Sequence, residues 1–288
     1  MVIWTIAKTT FGEAMRKKIL NVFLIVAVAM IVLSLSFTQL GFQSDMTVVK
    51  SLGLFIILLA GFIISLILCV SLIPTEVERR TLYTILSKPV NRYEFVLGKF
   101  IGGVLTLTVN IALMGIVFII MVTVKAALSG SVSGLGSQTS SMLAMGDQAA
   151  AAIKPRIFDP SLLIGVLFIY CQFFILSAVV VFFSVFLTPT VNFFASSAVY
   201  VIGSTSAVWQ SIADSKNKDI SPLVKAFYWV LERVIPNFDY YNIQNKIIHP
   251  HTEARSMEVY VVMGVLKALL IVTFLMIAAV LVFDRKEV

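Results

Sequence analysis

The chain has 288 residues, of which 59% are hydrophobic and 13% are charged, and its formal net charge is +7. With a mean hydropathy of +0.99, this composition excludes an ordinary soluble domain and indicates a polytopic membrane protein. The positive charge is explained by basic residues beside the membrane and does not indicate binding to nucleic acid.

Residues 2–18 are predicted to form a helix on the inner leaflet. Ile3, Ala7 and Phe11 can share one face of this helix, while the charged residues lie elsewhere. A frayed basic tail is the alternative. The basic residues 16–18 before an apolar run resemble a signal peptide, but the run continues well past Ala29, which favours a retained first helix.

Uncharged stretches of about 20 residues predict the membrane spans. The stretch 161–213 is too long for one crossing, and Pro189 is its natural break. The fold class is therefore an all-α integral membrane protein with one transmembrane domain over 1–288. Its six predicted spans are 19–37, 52–73, 101–124, 161–187, 191–213 and 259–283.

The distribution of lysine and arginine predicts the orientation. These residues are denser in the short segments around 1–18, 74–100 and the C-terminus than in the longer connecting segments. Basic residues in short loops favour the cytoplasmic side. Both termini and the 74–100 segment are therefore expected in the cytoplasm.

The 74–100 segment is a charged insert between two apolar runs. Leu82, Ile85 and Leu86 form an apolar stripe at helical spacing, which requires a partner surface. The pattern breaks around Pro89, and then Asn91 with a glutamate three residues later forms a capping-box signal. Two short helices at a sharp turn predict a docking site for another protein.

Two other connecting segments are predicted on the outer face. Residues 126–160 are rich in Ser, Gly and Ala, and their first half is expected to be flexible. Residues 214–258 contain a helix signal that opens at Ser221 and closes before Pro236, too short and too charged to span. An interfacial or re-entrant helix is expected there. His249 and His251 flank a proline and are read as an exposed turn rather than a metal site.

The chain lacks the common catalytic motifs. It has no G-x-x-x-x-G-K-[ST], no H-E-x-x-H and no G-x-S-x-G sequence, and its spans carry no acidic pair. No catalytic, cofactor-binding or metal-binding residue is therefore predicted, and Cys69 and Cys171 are expected to be buried as small apolar residues.

Four polar residues inside the predicted spans have two interpretations each. Lys267 either contacts cargo or a gate, or extends to the outer headgroups, and the second interpretation is favoured. The other three, Asn110, Asn192 and Ser196, either line a pathway or join helices, which is the commoner use of such residues in membranes.

The 74–99 segment, with Arg80-Thr81-Leu82 and Leu97-Gly98-Lys99, resembles the conserved cytoplasmic segment of type 2 ABC transporter permeases. Segments 234–245 and 283–287 are similar to the subgroup linked to maturation of multicopper enzymes such as nitrous oxide reductase. The resemblance covers the whole length. It implies a six-span permease with an N-terminal elbow helix, a coupling helix between spans two and three, and re-entrant outer helices.

In such families a second permease copy, identical or related, completes the transporter, and each copy docks on a separate ATP-binding subunit that holds ATP and Mg²⁺. The chain is therefore expected to export a substrate across a bacterial or archaeal cytoplasmic membrane without being an enzyme itself. The long 126–160 loop departs from the family and leaves an extracytoplasmic accessory protein open. The predicted ATPase-docking residues are Glu76, Glu78, Arg79, Arg80, Thr81, Leu82, Ile85, Leu86, Lys88, Pro89, Arg92, Glu94 and Lys99.

Two other functions compete with this reading. An ATP-independent channel or facilitator would use the polar faces of spans three and five as its path. A membrane scaffold would use the 214–258 region to hold an extracytoplasmic partner. Either function would need no ATPase, and the apolar stripe at 82–86 would then lack the partner surface expected for it.

Overall fold

A computed structural model of the chain describes residues 2–34, 45–72, 74, 92–136, 160–206, 235–242 and 254–285. Within these residues the protein is entirely helical, which confirms the predicted all-α class for this part of the chain. A short 3₁₀ helix covers Asp239–Tyr241. The α-helices are α1 Val2–Arg16, α2 Lys18–Ser34, α3 Asp45–Val70, α4 Arg92–Gly136, α5 Pro160–Ser184, α6 Pro189–Ser204 and α7 Ala254–Arg285.

Four of these helices are long and apolar enough to cross a membrane, as expected of a multi-pass membrane protein. They coincide with predicted spans two, three, four and six. The described parts of α2 and α6 have 17 and 16 residues, or about 25 Å of helix against about 30 Å of hydrocarbon. Six spans therefore stay a prediction. The four stretches are Val49–Val70, Tyr93–Lys125, Leu162–Ser184 and Val259–Asp284.

In the pairs α2–α3 and α5–α6, the two helices run in opposite directions. The start of α2 meets the end of α3, where Lys17 Nζ donates a hydrogen bond to Ser71 Oγ at 2.9 Å. The end of α5 meets the start of α6, where the Asn192 amide donates to the carbonyl of Val180. The start of α4 and the end of α7 also lie together, since the rings of Phe95 and Phe283 are 6.3 Å apart.

These contacts give the bundle two ends. We call the end with α1, Ser71 and the start of α4 the proximal end. The opposite end, with the starts of α5 and α7 and the 235–242 segment, is the distal end. A stacked pair marks it, Phe168 of α5 and Tyr260 of α7, whose ring centroids are 5.5 Å apart.

The core lies around α5, which is apolar on all sides because it is enclosed by other helices. Phe173 and Val180 of α5 are fully buried. A Cβ atom on Gly61 of α3 would lie 2.6 Å from the Phe173 ring, so only glycine permits this approach. In contrast, α7 leaves Leu270 and Phe274 largely exposed, at 70% and 72%. Its outer face is therefore available to lipid or a second copy.

Helix α4 extends beyond the predicted limits of span three at both ends. Helix α4 begins at Arg92, so residues 92–100 are its first turns and not part of a separate connector. It continues to Gly136, where a flexible loop was predicted. The capping signal at Asn91 explains the start, and the lack of proline between Pro89 and Pro155 explains why the helix is not broken.

The predicted break in the long uncharged stretch is confirmed. Helix α5 ends at Ser184, and α6 begins at Pro189 after an extended Thr188. Proline at the first helical position has no N–H to leave unpaired, which makes this an ordinary helix start. The predicted helices in 75–91 and 207–234 lie outside the described residues, as does most of the 126–160 loop.

Candidate functional site

The predicted docking residues from 76 to 89 lie outside the described residues, but both ends of their segment are described. The chain leaves α3 at Val70 and enters α4 at Arg92, and both points lie at the proximal end beside α1. Glu94 is half-buried in the first turn of α4. The two points that this segment connects, the end of α3 and the start of α4, therefore lie at the same end of the bundle.

Helix α1 packs directly on the first turns of α4. A Cβ atom on Gly102 would lie 2.6 Å from Thr10 Cβ and 2.7 Å from the carbonyl oxygen of Ala7. A Cβ atom on Gly98 would lie 2.8 Å from Ile6 Cβ. These two glycines form a small-residue packing signal in the sequence, and its partner in the structure is α1.

This packing changes the expected use of the apolar face of α1. Ala7, on the face predicted to lie on the inner leaflet, is buried against protein, as is Ala14 two turns later. On the side of α1 that faces away from α4, Trp4 is 64% exposed and Lys8 is also exposed. Part of the apolar face therefore binds α4, and the membrane-surface position of α1 stays a prediction.

Lys99 was predicted to contact the ATPase, and that role stays a prediction. The residue is only 5% exposed because α1 covers it. Its Nζ lies 4.0 Å from a carboxylate oxygen of Glu13 on α1 and 5.9 Å from the Phe95 ring centroid. In the sequence, the position of Lys99 between Gly98 and Gly102 is the signal that could have assigned it to this contact. Lys99 belongs to the α1–α4 interface.

At the distal end, the 235–242 segment joins α6 to α7. The Phe238 N–H donates to the carbonyl of Gly203 at 3.1 Å, and a Cβ on Gly203 would meet the carbonyl oxygen of Pro236. The hydroxyl of buried Tyr241 donates to the carbonyl of Gly264 at 3.0 Å. Burial raises the pKa of Tyr241, which keeps this hydroxyl protonated as a donor.

The 235–242 segment also contacts Lys267 of α7. Its Nζ lies 4.3 Å from the ring centroid of Tyr240. The Tyr240 ring stacks on Tyr260 with centroids 4.7 Å apart, and Tyr260 stacks in turn on Phe168. The sequence did not single out these tyrosines. The aromatic run after Pro236 is the signal that could have identified them.

The other three polar candidates, Asn110, Asn192 and Ser196, bond to the backbone or to each other. Asn110 donates to the carbonyl of Thr106 on its own helix at 2.8 Å. Asn192 donates to Val180 of α5 at 3.1 Å and accepts a hydrogen bond from Ser196 at 2.9 Å. All of them are buried. Their bonds therefore serve helix structure and helix packing.

We expect Cys69 and Cys171 to resist thiol labelling in the folded protein. Both are free and buried in the bundle, at 1% and 5% exposure. A membrane-permeant maleimide should label neither until the protein is unfolded in detergent. A Thr9→Cys variant, on the exposed side of α1, should be labelled at once. Rapid labelling of either native cysteine would contradict the described packing.

We expect Tyr241→Phe to lower the free energy of unfolding by about 1 kcal/mol, because it removes a buried hydrogen bond. Tyr240→Phe is the matched control. The Tyr240 hydroxyl makes no hydrogen bond among the described residues, so this change should be nearly neutral in detergent. Thermal unfolding of both variants measures the difference, and equal effects would show that the bond to Gly264 contributes nothing.

Among the described residues, no group of His, Cys, Asp and Glu could hold a metal ion. His249 and His251 lie outside them. No family model matches the chain, and no curated protein matches its sequence.

Proposed function

We propose that the chain is the membrane-spanning permease subunit of an ABC transporter. It would export a substrate across the cytoplasmic membrane of a bacterium or archaeon, driven by ATP hydrolysis on a separate subunit. The resemblance of segments 74–99 and 234–245 supports this proposal, as does the multi-pass helical fold. The chain itself would contribute no catalytic residue.

The strongest support for the proposal is that the end of the predicted docking segment, from Arg92, forms the start of α4. This helix runs without interruption from Arg92 at the proximal end to Gly136. Its first turns are packed under α1 through Gly98 and Gly102. A displacement of the start of α4 would therefore move α1 with it, because α1 is packed on these first turns.

The proposed mechanism uses this connection. Closure of the ATP-binding subunits would move a groove that holds Leu82, Ile85 and Leu86, with Arg79 and Arg80 at its rim. The docking segment would transmit the movement to α4. A rigid-body shift of α1 and α4 against the other helices would then open the substrate path between two permease copies.

The buried polar residues give a channel less support. Asn110, Asn192 and Ser196, the candidates for a polar path, are hydrogen-bonded within the bundle. A scaffold is the second candidate, because the 235–242 segment is tied to α6 and α7 by backbone and tyrosine hydrogen bonds. Such a segment could hold a distal partner in a fixed position.

Purification of the tagged chain from native membranes in mild detergent tests the proposal. Mass spectrometry should identify a P-loop ATPase that co-purifies in stoichiometric amount. An unrelated multi-pass protein with the same tag serves as the control for non-specific capture. A chain that purifies without any nucleotide-binding subunit contradicts the proposal, and a stable extracytoplasmic partner in its place would favour the scaffold.

A further inference from the structure

Lys267 is a charged residue on an apolar surface of α7. It lies eight positions after Val259, where the candidate span begins, or about 12 Å along the helix. Its neighbours one turn away on the same face are also exposed: Met263 is 56% exposed and Leu270 is 70% exposed. An ammonium group on such a surface is unfavourable in a bilayer unless it reaches a polar or anionic partner.

Among the described residues, this ammonium group has an aromatic partner but no counter-charge. The 4.3 Å contact between Lys267 Nζ and the Tyr240 ring is attractive, yet it leaves the positive charge unneutralised. None of the described carboxylates pairs with Lys267. Side chains on a helix lean toward its N-terminus. The ammonium group is therefore displaced toward the distal end, where lipid headgroups would lie.

Tyr240 is held in a fixed position. Its backbone N–H donates to Asn237 Oδ1 at 3.1 Å, and its carbonyl accepts a hydrogen bond from the Tyr260 hydroxyl at 2.6 Å. Its ring stacks on Tyr260. The Tyr240 hydroxyl itself has no hydrogen bond to any described residue. Lys267 and Tyr240 thus bring two hydrogen-bond donors together on a rigid aromatic base.

We propose that Lys267 and Tyr240 bind the phosphate group of an anionic phospholipid. An ammonium group and a phenol hydroxyl are both donors to phosphate oxygens. A phospholipid also supplies acyl chains that would cover the exposed Met263 and Leu270, whereas free phosphate offers the same oxygens without them. This site is independent of the proposed ATPase partner.

Native mass spectrometry of the purified full-length chain tests the site, with phosphatidylglycerol and phosphatidylcholine as the added lipids. The wild-type chain should retain phosphatidylglycerol in preference. Lys267→Met should lower the retained fraction about tenfold, the effect of one charge-assisted hydrogen bond, and Lys267→Arg should preserve it. Lys8→Met is the matched control, because it removes the same charge from an exposed position at the proximal end.

Tyr240→Phe provides a second variant, which keeps the ring and should lower retention about threefold. If Lys267→Met fails to fold, Tyr240→Phe still tests whether the site binds the lipid. Equal retention by the wild-type chain and Lys267→Met would overturn the proposal. So would an equal loss with Lys8→Met, which would indicate diffuse charge attraction. Displacement of the lipid by millimolar inorganic phosphate would instead identify a site for free oxyanions and overturn the lipid assignment.

Discussion

Replacing Gly102 with leucine should displace α1 from α4 and lower the free energy of unfolding by about 1–3 kcal/mol. A Cβ atom at this position would already lie 2.6 Å from Thr10 Cβ and 2.7 Å from the carbonyl oxygen of Ala7. That oxygen belongs to the backbone and cannot rotate away, so α1 must move. Thermal unfolding in detergent should detect the loss, and trypsin should cleave faster at Lys8.

Gly12 offers a matched control on α1 itself. A Cβ atom there would meet nothing within 4 Å, and alanine is a better helix former than glycine by about 0.5–1 kcal/mol. Gly12→Ala should therefore stabilise the protein slightly. If Gly102→Leu behaved like the wild-type chain in both assays, α1 would not be docked on α4. The proposed transmission through these two helices would then lose its structural basis.

The features that the sequence predicted well depend on local signals. Long apolar runs located four of the helices, because such a run has few other stable environments. Proline at 189 located the break between α5 and α6, and the capping signal at Asn91 located the first residue of α4. Each of these signals acts within a few residues of the feature that it determines.

The features that the sequence did not predict depend on which helices meet. The glycines at 98 and 102 indicated a packing face, but only the fold shows that α1 covers it and that Lys99 lies beneath. Likewise, Lys267 was recognisable as an unusual charge, whereas its contact with Tyr240 depends on how the 235–242 segment folds against α7. Pairings between distant segments leave no local pattern.

Leu82→Asp should abolish association with the ATP-binding subunit while leaving the bundle folded. The proposed groove holds Leu82 with Ile85 and Leu86, and a buried carboxylate without a partner would cost several kcal/mol at such an interface. Residue 82 lies between α3 and α4 and outside both, so thermal unfolding of the isolated chain should not change. Co-purification of the ATPase from native membranes measures the loss.

Thr84→Asp is the matched control, because it introduces the same charge on the opposite side of the predicted helix, about 200° from Leu82. This variant should keep the ATPase. Loss with both variants would mean that negative charge disrupts the segment, and loss with neither would place the docking surface elsewhere.

Gly102→Leu completes the comparison. It leaves the apolar stripe intact, so it should keep the ATPase bound but reduce transport for each ATP hydrolysed. Binding would then depend on the stripe, and transmission on the packing of α1 against α4.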